Sequence, residues 1–136
     1  MSIKVETSLE NLKKRLTSLK SAITRYNTKL GTVEEEDYRE LIIKRFESSE
    51  ETAKKLMKSY LDDMGERSSL GAKDLFIKMH EYDLIDSDTW FDMNSDRNKT
   101  AHEYDEVFAK DLVHKITSTY LILLENFYLS VAENYN

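Results

Sequence analysis

Cysteine and proline are both missing from the chain, and glycine occurs only at Gly31, Gly65 and Gly71 in 136 residues. Without cysteine there is no disulfide and no thiolate nucleophile, which suits a reducing compartment. Without proline, and with so little glycine, there are few helix breakers, while Leu, Lys, Glu and Ala are plentiful. No apolar run approaches the roughly 20 residues of a membrane span, and the N-terminus carries no apolar leader core. These absences predict a soluble, cytoplasmic, all-α protein with no membrane partner. Also missing are a P-loop, a G-x-G-x-x-G turn and a nucleophile elbow, so ATP chemistry by this chain is not expected. His80 and His114 lack metal-ligand spacing, and Asp111-x-x-His114 stands alone where a di-iron bundle needs paired motifs. The expectation is therefore no metal and no cofactor.

What is present fits one domain spanning residues 1–136: 40% hydrophobic composition supports a single core. The net charge of −6 is uneven, because residues 1–60 carry 13 Lys/Arg against 10 Asp/Glu and the remainder carries 7 against 16. An acidic second half argues against broad nucleic-acid affinity there. Any positive field for RNA must come from the first half or from a partner. The acidic face also suits docking to a basic protein surface.

Val5, Leu9, Leu12, Leu16, Leu19, Ile23, Tyr26 and Leu30 recur in steps of four and three, which predicts a first helix closed by Gly31. Thr32-x-x-Glu35 has the form of a capping box for a second helix reaching about Met64. Its apolar face is Tyr38, Ile42, Phe46, Ala53, Leu56, Tyr60 and Met64, but its middle, Glu47 to Thr52, is polar throughout. A buried Glu50 would need an arginine or histidine partner, or would titrate neutral. Ser68-Ser69 is a candidate cap for a short third helix to about Tyr82, with Leu75, Phe76 and Met79 inward. Asp86 or Asp88 caps a fourth helix, which Trp90, Phe91 and Met93 anchor in the core. Asp105 opens a last helix to about Glu133, with Phe108, Leu112, Ile116, Tyr120, Leu123, Phe127 and Val131 at helical spacing. About five helices with short connections predict an antiparallel four-helix-bundle-like domain.

The densest chemistry lies in Asp96-Arg97-Asn98-Lys99-Thr100-Ala101-His102-Glu103-Tyr104-Asp105. Five helical residues turn about 500°, leaving Arg97 and His102 about 140° apart, so their convergence requires the helix to end near His102. An N-cap at Asp105 makes Ala101 to Tyr104 a helix–helix junction. An imidazole can take a proton from a ribose 2′-hydroxyl or give one to a leaving 5′-oxygen, and a guanidinium stabilises the charge growing on phosphorus. Together they suffice for metal-free RNA cleavage through a cyclic phosphate. Asn98 can orient His102 or a phosphate oxygen, and Asp96 can pair with Arg97. The structural alternative is that Arg97 bridges to Asp92, Asp96 or another carboxylate while His102 caps a helix end.

Arg97-x4-His102-x-Tyr104 resembles the signature of the HEPN domain (higher eukaryotes and prokaryotes nucleotide-binding), in its nucleotidyltransferase substrate-binding branch. Leu41-Ile42-Ile43-Lys44-Arg45-Phe46-Glu47 resembles the opening of that family's second helix, and Leu84-Ile85-Asp86-Ser87-Asp88-Thr89-Trp90 its lead-in to the motif helix. Large apolar residues are usual in the family where Ser48, Glu50, Thr52 and Lys54 stand here. The resemblance implies a helical bundle that forms a homodimer with the two motifs facing one cleft. It also implies a metal-independent ribonuclease toxin with Arg97 and His102 catalytic and Asp96 and Asn98 supporting. A cognate minimal nucleotidyltransferase would silence it by adenylylating Tyr104. The alternative function is a non-catalytic accessory subunit that presents a nucleotide or other substrate to the transferase.

Overall fold

The computed structural model describes residues 1–66, 71–102 and 105–134, which are helical apart from short connections; no strand occurs among them. Six α-helices succeed one another: α1 (Ile3–Thr28), α2 (Glu35–Asp63), α3 (Ala72–Glu81), α4 (Ser87–Lys99), α5 (Glu106–Lys115) and α6 (Leu121–Asn134). The π-helical turn Ile116–Tyr120 joins α5 to α6 without a break, so five rods result.

Ser2 starts α1, its hydroxyl accepting the Val5 N–H at 3.1 Å. The predicted stripe is the buried face: Val5, Leu12, Leu16 and Leu19 are buried, with Leu9, Ile23 and Tyr26 packed beside them. The helix stops earlier than its periodicity predicts. Lys29 is the C-cap, and Gly31, with φ 79°, turns the chain outside the helix, so Leu30 is left exposed. The Thr32–Glu35 capping box does not form either, because α2 begins only at Glu35. Glu35 Oε1 instead accepts the Gly31 N–H at 3.2 Å, and its Oε2 holds Arg39 at 3.1 Å. At the other end of α2 the expected glycine stop is found: Gly65 has φ 79°, and the Glu66 and Gly65 amides close on the Leu61 and Asp62 carbonyls.

Cross-contacts fix the directions of the rods. Lys4 meets Asp62 and Ser8 meets Ser59, while the Arg45 guanidinium donates to the Ser18 carbonyl, so α1 and α2 are antiparallel. Lys54 reaches Asn94 and Arg97 approaches Glu50, so α4 is antiparallel to α2. Asp96 meets Tyr120 and Trp90 meets Phe127, so the last rod is antiparallel to α4. The result is an up-down-up-down four-helix bundle with α3 packed at one end. There Tyr60 meets Tyr82 edge-on and Phe76 packs on Trp90. The proposed Ser68-Ser69 cap lies outside the described residues. Asp86 takes the N-cap position of α4 without a side-chain cap bond, whereas Asp105 caps α5 by accepting the Phe108 N–H at 2.7 Å.

The last segment was expected to be one regular helix. Its register shifts at Ile116–Tyr120, where the Thr117 and Ser118 hydroxyls both bond back to the His114 carbonyl, at 3.1 and 2.7 Å. Such back-bonding competes with the backbone ladder. The wider turn keeps both Ile116 and Tyr120 inside the core.

Candidate functional site

Trp90 and Met93, fully buried, fix the first half of α4, so the second half presents the motif from a rigid support. The helix ends at Lys99. The Thr100, Ala101 and His102 amides then close on the Arg97, Asn98 and Lys99 carbonyls at 3.3, 3.3 and 3.0 Å, a tightened final turn. Arg97 therefore sits in the last helical turn and His102 beyond it, at the junction the spacing requires.

Arg97 does not pair with Asp96. Neighbouring helical positions point about 100° apart, and the two side chains meet different partners. Arg97 turns toward α2, with Nε 3.8 Å from Glu50 and one terminal nitrogen 3.8 Å from Glu51. Its side chain is 25% exposed, and its buried Nε makes no hydrogen bond. Asp96 turns inward, where its carboxylate accepts from the Tyr120 hydroxyl and lies 3.4 Å from the Lys115 ammonium. It thereby ties the motif helix to the π turn. Burial, and then the Asp96 carboxylate, push the Tyr120 phenol far above its usual range.

Glu50 is the buried carboxylate whose need for a cationic partner the sequence anticipates. It is 0% exposed, and its ion pairs are with Lys54 at 3.0 Å and Arg97 at 3.8 Å. Burial raises its carboxyl above the usual carboxylate range; Lys54 and then Arg97 pull it back, while Glu51 adds to the rise. Lys54 also donates to Asn94 at 3.3 Å, so Glu50, Lys54, Asn94 and Arg97 join α2 to α4. Glu50 and Glu51, from the polar middle of α2, thus make the seat of the arginine, and Lys54 shares both carboxylates with it.

On its open side Arg97 lines a shallow cavity of about 300 Å³ with Arg15, Lys44, Ser48, Glu51, Thr52 and Lys55 among the other walls. His102 is exposed and is not part of that lining. Asn98 is exposed in the last turn of α4, with no side-chain hydrogen bond among the described residues. Tyr104 lies outside the described residues. The structure thus brings Arg97 together with Glu50 and Glu51, and it leaves His102 and Asn98 on the surface at the helix end. Glu51, Lys115 and Tyr120 were missed from sequence. The spacing of Tyr120 places it in the core, with nothing local to reveal Asp96 as its partner.

No group of His, Asp and Glu among the described residues forms a metal-binding cluster, and no helix there is long and apolar enough to cross a membrane. No curated protein matches the chain closely enough to serve as a relative. A family model does match, over residues 7–133, and its description is nucleotidyltransferase substrate binding protein like. That match runs from the first helix to the end of the last and includes the whole Arg97–His102 segment, so the chain belongs to the nucleotidyltransferase substrate binding protein-like family.

Proposed function

We propose that this protein is a metal-independent ribonuclease toxin of the HEPN type, with Arg97 and His102 as its catalytic residues. The observation that carries the reading is the division of labour at the end of α4. Arg97 is held by the α2 carboxylates and still opens to solvent, while His102 stands exposed past the helix end. In the proposed reaction an imidazole takes the 2′-hydroxyl proton and the 2′-oxygen attacks phosphorus. The bond to the 5′-oxygen then breaks, and that oxygen receives a proton. The products are a 2′,3′-cyclic phosphate and a 5′-hydroxyl, with the guanidinium countering charge on the phosphorane. Asn98, exposed beside the motif, orients His102 or a phosphate oxygen, and Asp96 acts through Tyr120 and Lys115 by fixing α4.

Among the described residues Arg97 lines a cavity that His102 does not, and the reading includes a homodimer in which two motifs face one cleft. Its regulator is a cognate minimal nucleotidyltransferase. The Tyr104 phenol oxygen attacks the α-phosphorus of ATP, pyrophosphate leaves, and the phenolic proton passes to solvent. The bulky anionic adduct then repels RNA phosphates.

A second reading, a non-catalytic accessory subunit of the transferase, is favoured by the family's description and by the engagement of Arg97 with two carboxylates. Induced expression in a bacterial host separates the two. Growth arrest with RNA breakdown, abolished by both Arg97→Ala and His102→Ala, is the expected result. Normal growth and intact RNA with all three proteins folded would overturn the ribonuclease reading in favour of the accessory subunit.

A further inference from the structure

Most lysines on this surface are paired with a carboxylate. Lys20, Lys29, Lys54, Lys78, Lys99 and Lys110 each have one within 4 Å. The cations that have none among the described residues are not scattered evenly. Lys13, Arg25, Arg45 and Lys73 lie elsewhere, but Lys14, Arg15, Lys44, Lys55 and Lys58 all border one trough between α1 and α2. Three adjoining cavities, of about 480, 420 and 300 Å³, all have Lys55 as a wall; the middle one shares Ser8 with the largest and Arg15 and Thr52 with the smallest, which makes this trough continuous. It ends at Arg97.

The sequence explains the alignment. On α1 the residues Ser8, Asn11, Arg15 and Ser18, and on α2 Lys44, Ser48, Thr52 and Lys55, recur at three- and four-residue steps, so each helix turns one polar stripe to the same groove. Two of the residues that make the middle of α2 unexpectedly polar, Ser48 and Thr52, lie on this stripe. With Lys4 and Arg97 the walls carry seven cations against Glu47, Glu51 and Asp62, a net +4 on a chain whose total is −6.

We infer that the α1–α2 trough is a binding track for the sugar-phosphate backbone of single-stranded RNA, leading it to Arg97. The inference deepens the ribonuclease reading and rests on it for the choice of RNA. No apolar or aromatic residue lines the trough. That disfavours an acidic protein, whose interface needs an apolar centre, and it predicts recognition of backbone charge without base stacking. From Lys58 to Lys44 the track runs about 21 Å at the helical rise. At about 3.4 Å per stacked phosphate, that matches roughly six phosphates. The Ser18 and Ser48 hydroxyls supply neutral donors between the cations, whereas Thr52 already donates to the Ser48 carbonyl.

The test is fluorescence anisotropy of a short labelled oligouridylate on the full chain carrying His102→Ala, so that no strand is cut. The trough variant Lys14→Ala/Arg15→Ala/Lys55→Ala is compared with Lys13→Ala/Arg25→Ala/Lys73→Ala, which removes equal, unpaired charge outside the trough. Loss of three phosphate contacts should weaken binding on the order of tenfold and flatten the plot of log affinity against log salt by about 2, while the control keeps its slope. Equal losses in both variants, no binding by the parent, or polyglutamate competing as well as RNA would each overturn the track. Circular dichroism establishes that the variants are folded; all six substituted side chains are exposed. Cleavage by the unsubstituted chain is scored separately, so a track that binds RNA without cleavage would refute the ribonuclease reading alone.

Discussion

Tyr120→Phe isolates one hydroxyl at the point where the motif helix meets the last rod. The phenyl ring remains, and with it the stack on Phe46 at 5.6 Å between centroids. What is lost is the donor to Asp96, a buried carboxylate left with Lys115 at 3.4 Å and Lys99 at 3.9 Å. A hydrogen bond to a charged group contributes about 1.5–3 kcal/mol. For a chain of this size that corresponds to a fall in Tm of roughly 5–12 °C. The assay is thermal and urea unfolding of wild type, Tyr120→Phe, Asp96→Ala and the double variant. A coupling energy of about 1.5–3 kcal/mol between the two positions is expected. Additivity to within about 0.5 kcal/mol would refute the claim that this pair fixes α4. The phenol also sets a pH limit. Its folded pKa is raised, so its contribution is fully present below the unfolded value near 10 and is lost as pH climbs toward the folded one. Tyr120→Phe should remove that alkaline loss.

Trp90→Ala empties a site packed by Phe76 and Phe127 and should cost about 3–5 kcal/mol in urea unfolding; a loss below about 1 kcal/mol would mean the end of α4 is not anchored there. Asp105→Ala removes the cap on Phe108 N–H and should cost about 1 kcal/mol, read as a lower Tm, with Asp105→Asn largely restoring it. For Glu50 the sign is opposite to the usual carboxylate. Its folded pKa is raised, so the protonated form favours folding below the unfolded value near 4.3, and that contribution fades as pH rises through the folded value. Wild type should therefore lose stability relative to Glu50→Gln across that interval, and a pH-independent difference between the two would contradict a burial-dominated Glu50.

Features that depend on neighbours in sequence were legible before the structure. The α1 stripe, the Asp105 cap, the Gly65 stop and the anchoring of α4 by Trp90 and Met93 each follow from spacing and residue type. The need of Glu50 for a cation was legible because it shares a helical face with Phe46 and Ala53. The nearer cation, Lys54, is one turn away on the same helix and not the arginine or histidine expected, whereas Arg97 is 47 positions away and only the crossing of α2 and α4 brings it to Glu50. Asp96 can pair with Arg97 by residue type, but adjacency on a helix separates the two side chains. The π turn is likewise a compromise between local Ser/Thr back-bonding and the burial of Tyr120. The basic trough was not legible for a further reason: Lys14 and Lys20 look alike in sequence, and only packing shows that Glu125 pairs with Lys20 while Lys14 has no carboxylate partner among the described residues.

End-group analysis of RNA incubated with purified protein in excess chelator tests metal-free cleavage by Arg97 and His102. Wild type should leave 2′,3′-cyclic phosphate and 5′-hydroxyl ends, with cleavage falling at least about 100-fold in His102→Ala and in Arg97→Ala. Cleavage that the chelator abolishes, or that survives both substitutions, would contradict a metal-independent Arg97–His102 site.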